Sequence, residues 1–244
     1  MPEATIGRLK FDQTGERVYE TGVSNGVLYV YDESTTAAGD WKKGVAWNGL
    51  TSVSESPEGA EATAIYADNI KYLNLMSAED FKGTIEAYTY PDEFEACDGS
   101  AKLKTGVAGV IVGQQKRVKF CLAYITKVGN DEDSEAGEKI HIVYNCLASP
   151  SERSYATVND SPEAITFSWE FSTTPMAVNA EGIKPTALIT IDSTKFEGGT
   201  TNAKYTAIKD ALYGKSTYEG NVETKVSDPT LLTPDAILTI LNAA

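Results

Sequence analysis

The sequence predicts a mainly β fold flanked by α-helix, and three observations predict it. From 165 to 172 the side chains alternate without interruption, with Ile165, Phe167, Trp169 and Phe171 on one face and Thr166, Ser168, Glu170 and Ser172 on the other. That period of two is the mark of a half-buried strand. Ile140, Ile142, Tyr144 and Cys146 alternate in the same way, and the Ser-, Pro-, Asn- and Asp-rich segment between the two runs can continue neither strand. Helical spacing, by contrast, is confined to two short stretches near the C-terminal end.

Taken in order, strands are expected at 27–31, 71–75, 84–90, 107–112, 118–126, 140–147, 165–172 and 187–192. Most are rich in Val, Ile, Thr, Tyr and Phe and are bounded by Gly, Pro, Asn or Asp. A helix follows, because Asn202 can cap it, Tyr205, Ile208 and Leu212 share a face, and Gly214 supplies a stop. Such a helix should pack on a sheet. A shorter helix is expected at the end of the chain, where Thr233 can cap, Pro234 suits the first turn, and Ile237, Leu238 and Leu241 share a face. A segment so short needs a docking surface.

Neither a solenoid-period repeat nor a domain boundary is visible, so 1–244 reads as one domain. Three segments stand out as assembly candidates: an N-terminal arm at 1–26, a long loop at 34–61 and a C-terminal extension at 215–244. The loop is rich in Gly, Ser, Thr and Glu yet retains Trp41, Val45, Trp47 and Leu50, and long loops that keep aromatic residues pack against something. Trp41, Trp47, Leu50, Ile237, Leu238 and Leu241 are therefore the residues expected to make subunit contacts.

The 35 acidic residues outnumber the 21 basic ones, giving a net charge of −14, so the surface has no reserve of cations with which to grip phosphates. Tight nucleic-acid binding is excluded on that ground. Cys97, Cys121 and Cys146 are odd in number and lack metal-ligand spacing, which reads as reduced core packing. The N-terminus has no apolar signal core, and no apolar run approaches the length of a membrane span. A soluble chain made in the cytoplasm is expected.

Reactive chemistry is scarce. His141 is the only histidine and lies on a strand whose other face carries Ile140 and Ile142, which reads as a satisfied or surface histidine and not a base. Gly214-Lys215-Ser216 imitates the end of a phosphate loop, but Lys209 stands where that loop needs glycine, and the tripeptide ends a helix. The acidic run 129–138 imitates a calcium loop, but its glycine falls one position late and Ile142 occupies the place of the bidentate Glu. A solvated connection is expected there, with weak cation binding at its tip as the alternative. No catalytic, cofactor or metal residues are assigned. Trp41 and Trp47 could instead form a sugar-binding platform, which would make the chain a carbohydrate- or cell-surface-binding β-sandwich.

Four short stretches carry a family likeness: Trp47-Asn48-Gly49-Leu50, Tyr88-Thr89-Tyr90-Pro91, Cys146-Leu147-Ala148-Ser149-Pro150 and Ser161-Pro162-Glu163-Ala164-Ile165. On these, most of 44–192 resembles the major tail tube proteins of long-tailed, non-contractile bacteriophages of Gram-positive bacteria. The resemblance implies a β-sandwich or partial barrel with a flanking helix, no enzymatic activity, and hexameric rings stacked into a tube through which the genome is ejected. It further implies tape measure and tail terminator proteins as partners, and the virion tail as location, assembled in the host cytoplasm. DNA would pass through the lumen without specific binding. An acidic lining suits that passage, since repulsion acting within about 8 Å keeps DNA off the wall.

Overall fold

The computed structural model describes residues 11–34, 41–59, 61–104, 109–155, 157, 164–220 and 222–243. In chain order its strands are β1 (Tyr19–Val30), β2 (Val45–Trp47), β3 (Leu50–Gly59), β4 (Ala62–Ala67), β5 (Ile70–Met76) and β6 (Glu79–Ala87). A short helix α1 (Glu95–Asp98) precedes β7 (Ala101–Lys102), β8 (Ile111–Val112), β9 (Phe120–Gly129), β10 (Gly137–Ala148), β11 (Phe167–Thr173) and β12 (Leu188–Asp192). Then come α2 (Ala203–Tyr213), β13 (Lys215–Glu219), β14 (Val222–Ser227) and α3 (Pro234–Asn242). The fold is mainly β, as the alternation predicts.

The principal sheet is antiparallel in the order β2-β1-β9-β10-β11-β6-β3, with β12 also on β10. It bends within β10. Lys139 to Val143 pair with β12, whereas Cys146 to Ala148 pair with β11. Between them the register shifts, and Asn145 sits at φ 50, a left-handed conformation that Asn tolerates better than most residues. One consequence corrects the sequence pattern. Ile140, Ile142 and Tyr144 face one core, but Cys146 faces the other, because the bulge inverts the alternation.

The bend folds the sheet into a sandwich that does not close. Its interior holds Leu28, Val30, Phe120, Leu122 and Val143 from one half, packed on Ile85, Ala87, Trp169 and Phe171 from the other. Phe94, just before α1, fills the end of this core, with its ring 5.1 Å from Trp169 and 5.3 Å from Phe120. On the outer face of β1, β9 and β10, a second core joins Tyr29, Cys121, Ala123, Ile140 and Ile142 to the helices through Tyr205, Ile208, Leu212 and Ile237. Each such aliphatic side chain contributes about 1.5–3 kcal/mol on burial, so the helices are part of the body.

Both helices start as the sequence predicts. The Asn202 side chain accepts from the backbone N–H of Lys204 and Tyr205, and the Thr233 hydroxyl accepts from Ala236. Gly214 ends α2 at φ 79, so the Gly-Lys-Ser tripeptide is a helix stop. The expected strand at 107–112 falls partly outside the described residues, and β8 covers only its last two positions.

Candidate assembly surface

The β3–β6 pair leaves the sandwich as an arm. Its ladder runs from Leu50↔Ala87 out to Gly59↔Glu79, and β4 and β5 carry it on to a two-residue turn at Asp68 and Asn69. Those two residues have φ 49 and 65, the left-handed pair of a type I′ turn, which Asp and Asn accept readily. Near the root, Val53 and Phe81 pack on the sandwich core. Further out, every residue of β5 is exposed.

Register decides what that distal hairpin presents. Thr63 lies across from Leu75, Ile65 across from Leu73, and Ala67 across from Ile70, so these six share one face. Ile65 and Leu73 are each 40% exposed, Leu75 60% and Ile70 65%. Tyr66, Tyr72 and Met76 are also exposed. A two-stranded hairpin with an uncovered apolar face is marginal in water and gains stability by packing against something. Among the described residues β3 pairs only with β6, which leaves its other edge available for β-addition. A second, smaller hairpin, β13–β14, presents exposed Tyr218 and Val226.

At the root of the arm lies a polar cluster. His141, 8% exposed, is stacked on the Tyr124 ring with centroids 4.8 Å apart. Its Nε2 is 3.0 Å from the Thr126 hydroxyl and 3.3 Å from Oε1 of Glu20, while its Nδ1 is 3.4 Å from Oε1 of Glu55 and 3.5 Å from the Thr190 hydroxyl. The Tyr124 hydroxyl donates to Oε1 of Glu55 at 2.6 Å, and Lys139 donates to Oε2 of Glu20 at 2.6 Å. The Glu55 carboxyl is held below its ordinary range by the His141 hydrogen bond, against the opposing effect of burial and with help from Tyr124. Partial burial raises the Glu20 carboxyl, but hydrogen bonds from Lys139 and Thr126 outweigh it and leave the group lowered. The sequence places His141 opposite Ile140 and Ile142, as found. It gives no sign of Glu20, which strand pairing through β9 brings beside the ring, or of Glu55, which comes from the facing half of the sandwich.

The structure redistributes the expected contact residues. Trp47 is 3% exposed in the sandwich core, its ring 4.6 Å from Phe94 and its Nε1 donating to the Thr89 carbonyl at 3.0 Å. It offers neither a subunit contact nor a sugar platform. Leu50 packs against the same core, and Trp41 packs edge-on to Tyr31 beside the helical core. Ile237 is buried and Leu241 packs on the same cluster, with Leu238 half-buried beside them. Thus α3 docks on its own chain, where Leu231 and Leu232 precede it into the core and the Tyr144 hydroxyl donates to the Leu232 carbonyl at 2.8 Å. Within the described part of 215–244, β13 and β14 form a two-stranded hairpin separate from the principal sheet. The described residues of the 34–61 loop are likewise mostly sheet, since β2 and β3 lie among them, and 19–26 of the N-terminal arm belong to β1. Residues 1–10 lie outside the described residues.

The acidic connection between β9 and β10 is organised by its own side chains. The Asn130 Oδ1 accepts from the N–H of Glu132 and Asp133, Asp131 accepts from the Gly15 N–H, and Lys127 pairs with Glu135. Among the described residues no three His, Cys, Asp or Glu side chains converge to hold a metal ion. All three cysteines are free and buried, and burial pushes the Cys97 thiol up to about 12. Among the described residues no helix is long and apolar enough to cross a membrane.

No family model and no curated protein matches the chain. Among solved structures, it aligns with a chain from the cryo-EM structure of the anti-feeding prophage baseplate, 6-fold symmetrised, at 7% identity and a TM-score of 0.33. The alignment covers 68% of this chain and 92% of that one. A likeness of that size carries no weight on function.

Proposed function

We propose that the chain is a non-enzymatic structural subunit that polymerises with copies of itself, as the tail tube proteins it resembles do, into stacked hexameric rings forming a channel for genome ejection. The observation that carries this reading is the arm: an apolar hairpin face that its own body leaves uncovered, projecting from a sandwich with two filled cores. An arm on one copy meeting a different surface on the next is a heterologous contact, and repeating such a contact gives closed rings or open helical filaments. The acidic excess fits a lumen that DNA traverses without adhering. Tape measure and tail terminator proteins remain the partners that the resemblance implies. The competing carbohydrate-binding reading loses its platform, since Trp47 is committed to the core.

Negative-stain electron microscopy of the purified chain tests the proposal. Rings or tubes are expected from the full chain, and monomers from a variant in which a short turn replaces 62–76. Monomers from the full chain at high concentration would overturn it.

A further inference from the structure

We infer that His141, together with Glu20 and Glu55, forms a proton-operated latch that ties the root of the arm to the opposite half of the sandwich. Its consequence for assembly rests on the reading of the arm given above; the latch itself does not.

The three residues come from β1, β3 and β10. Glu20 and His141 belong to the half of the sheet that carries the helices, whereas Glu55 belongs to β3, the strand that becomes the arm. Each ring nitrogen faces a carboxylate oxygen, Nε2 that of Glu20 at 3.3 Å and Nδ1 that of Glu55 at 3.4 Å. Both contacts are ion pairs only in the imidazolium form, in which both nitrogens carry hydrogen. Loss of one proton turns a lone pair toward one of the carboxylates. It also leaves Glu20 and Glu55 to repel each other across a neutral ring.

The surrounding charges do not substitute for the imidazolium. From β10, Lys139 is committed to Glu20, with Asp192 of β12 also drawing on it. Glu138 pairs with Lys209 and Tyr205 of α2, on the other side of the sheet. From β9 come Tyr124, which already donates to Glu55, and Thr126, which donates to Glu20. From β12, Thr190 contributes a hydroxyl. In its protonated form His141 joins the two carboxylates. At lower pH the latch is complete. It opens as the ring loses its proton, and in stronger acid it is lost again when Glu55 takes one up.

His141 is the only histidine in the chain, so its ring protons give one set of NMR signals. The test follows those signals across pH in the dilute chain, alongside amide exchange at Ser54, Glu55, Ser56 and Glu58, corrected for intrinsic rates. In the wild type, exchange at the arm root should rise about tenfold along the same curve as the ring signals, the effect of losing one charge-assisted hydrogen bond. In Glu55→Gln the ring should still titrate while the arm root no longer follows it. His141→Phe should exchange at the faster rate at every pH, and if that variant does not fold, Glu55→Gln alone decides. Flat exchange in the wild type across the ring's titration, or a Glu55→Gln variant that follows it as the wild type does, would overturn the latch. Light scattering separates the two levels. Arm exchange that follows the ring while polymerisation does not would sink the assembly role of the arm and leave the latch standing.

Discussion

Replacing Ile70 and Leu75 together by Glu should abolish polymerisation while leaving the body folded. Both residues lie on the uncovered face of the distal hairpin, 65% and 60% exposed, and neither belongs to a core. Full burial of such a side chain is worth about 1.5–3 kcal/mol, so covering the exposed remainder recovers about 1 kcal/mol from each. Across Ile65, Ile70, Leu73 and Leu75 the face is worth about 4 kcal/mol per contact, roughly a thousandfold in association. The double substitution removes about half of that. It also places two unpaired carboxylates where a partner would have to desolvate them, at a cost of several kcal/mol more. Sedimentation velocity over a concentration series reads association, and a thermal melt reads the fold. The melt should move little, since exposed substitutions usually stay within about 0.5 kcal/mol. Undiminished assembly would refute the arm as the contact. A collapsed melt would show the hairpin to be part of the cooperative body.

Three further outcomes follow from the packing. Ile237→Ala should destabilise the fold by about 2–4 kcal/mol in urea unfolding, since α3 docks on the chain's own core; an unchanged midpoint would return α3 to the status of an arm. Trp47→Ala should cost about 3–5 kcal/mol for its buried ring, with loss of the Nε1 bond to Thr89, and should be rescued in part by Phe but not by any added oligosaccharide. Because the Glu55 carboxyl is lowered in the folded state, its stabilisation is present above the ordinary carboxylate range and is lost as pH falls through the lowered value. The melting difference between wild type and Glu55→Gln should therefore be larger at pH 6 than at pH 3, and a difference that grows on acidification would contradict the assignment.

Much of the body was legible in the sequence because local pattern and tertiary demand agree there. The run ending in Trp169 and Phe171 alternates as β11 requires, and Asn202, Gly214, Thr233 and Pro234 bound helices where capping chemistry places them. The bend at Asn145 was not legible, since a bulge shifts register without any break in apolar alternation. Nor was the arm. Its residues 71–75 read as an ordinary strand, and only the pairing that carries β4 and β5 beyond the last core contact exposes them. Tryptophan in a polar, Gly-rich stretch pointed to surface contact, yet Trp47 is drawn inside because β2 and the turn at Gly49 fold it over Phe94 and Trp169. Amphipathic spacing in α3 likewise could not say whose core its apolar face covers.

Charge adds a constraint on where contacts between copies can lie. A chain with a net charge of −14 repels its like at a distance, and only within about 8 Å at physiological salt does that repulsion outlast screening. Contacts between copies therefore form best where charge is locally balanced and apolar area is exposed. The distal hairpin, 62–76, meets both conditions, with one Asp, one Lys and a face of Ile and Leu. The acidic excess thus lies in the rest of the chain. In the proposed assembly, an almost neutral, apolar arm set apart from a strongly acidic body would let copies associate through a defined surface while the bodies repel one another. In that proposed assembly the angle at which the arm leaves the body would decide where the next copy sits, and Glu55 is the arm-strand side chain that faces the imidazole of the opposite half, 3.4 Å away.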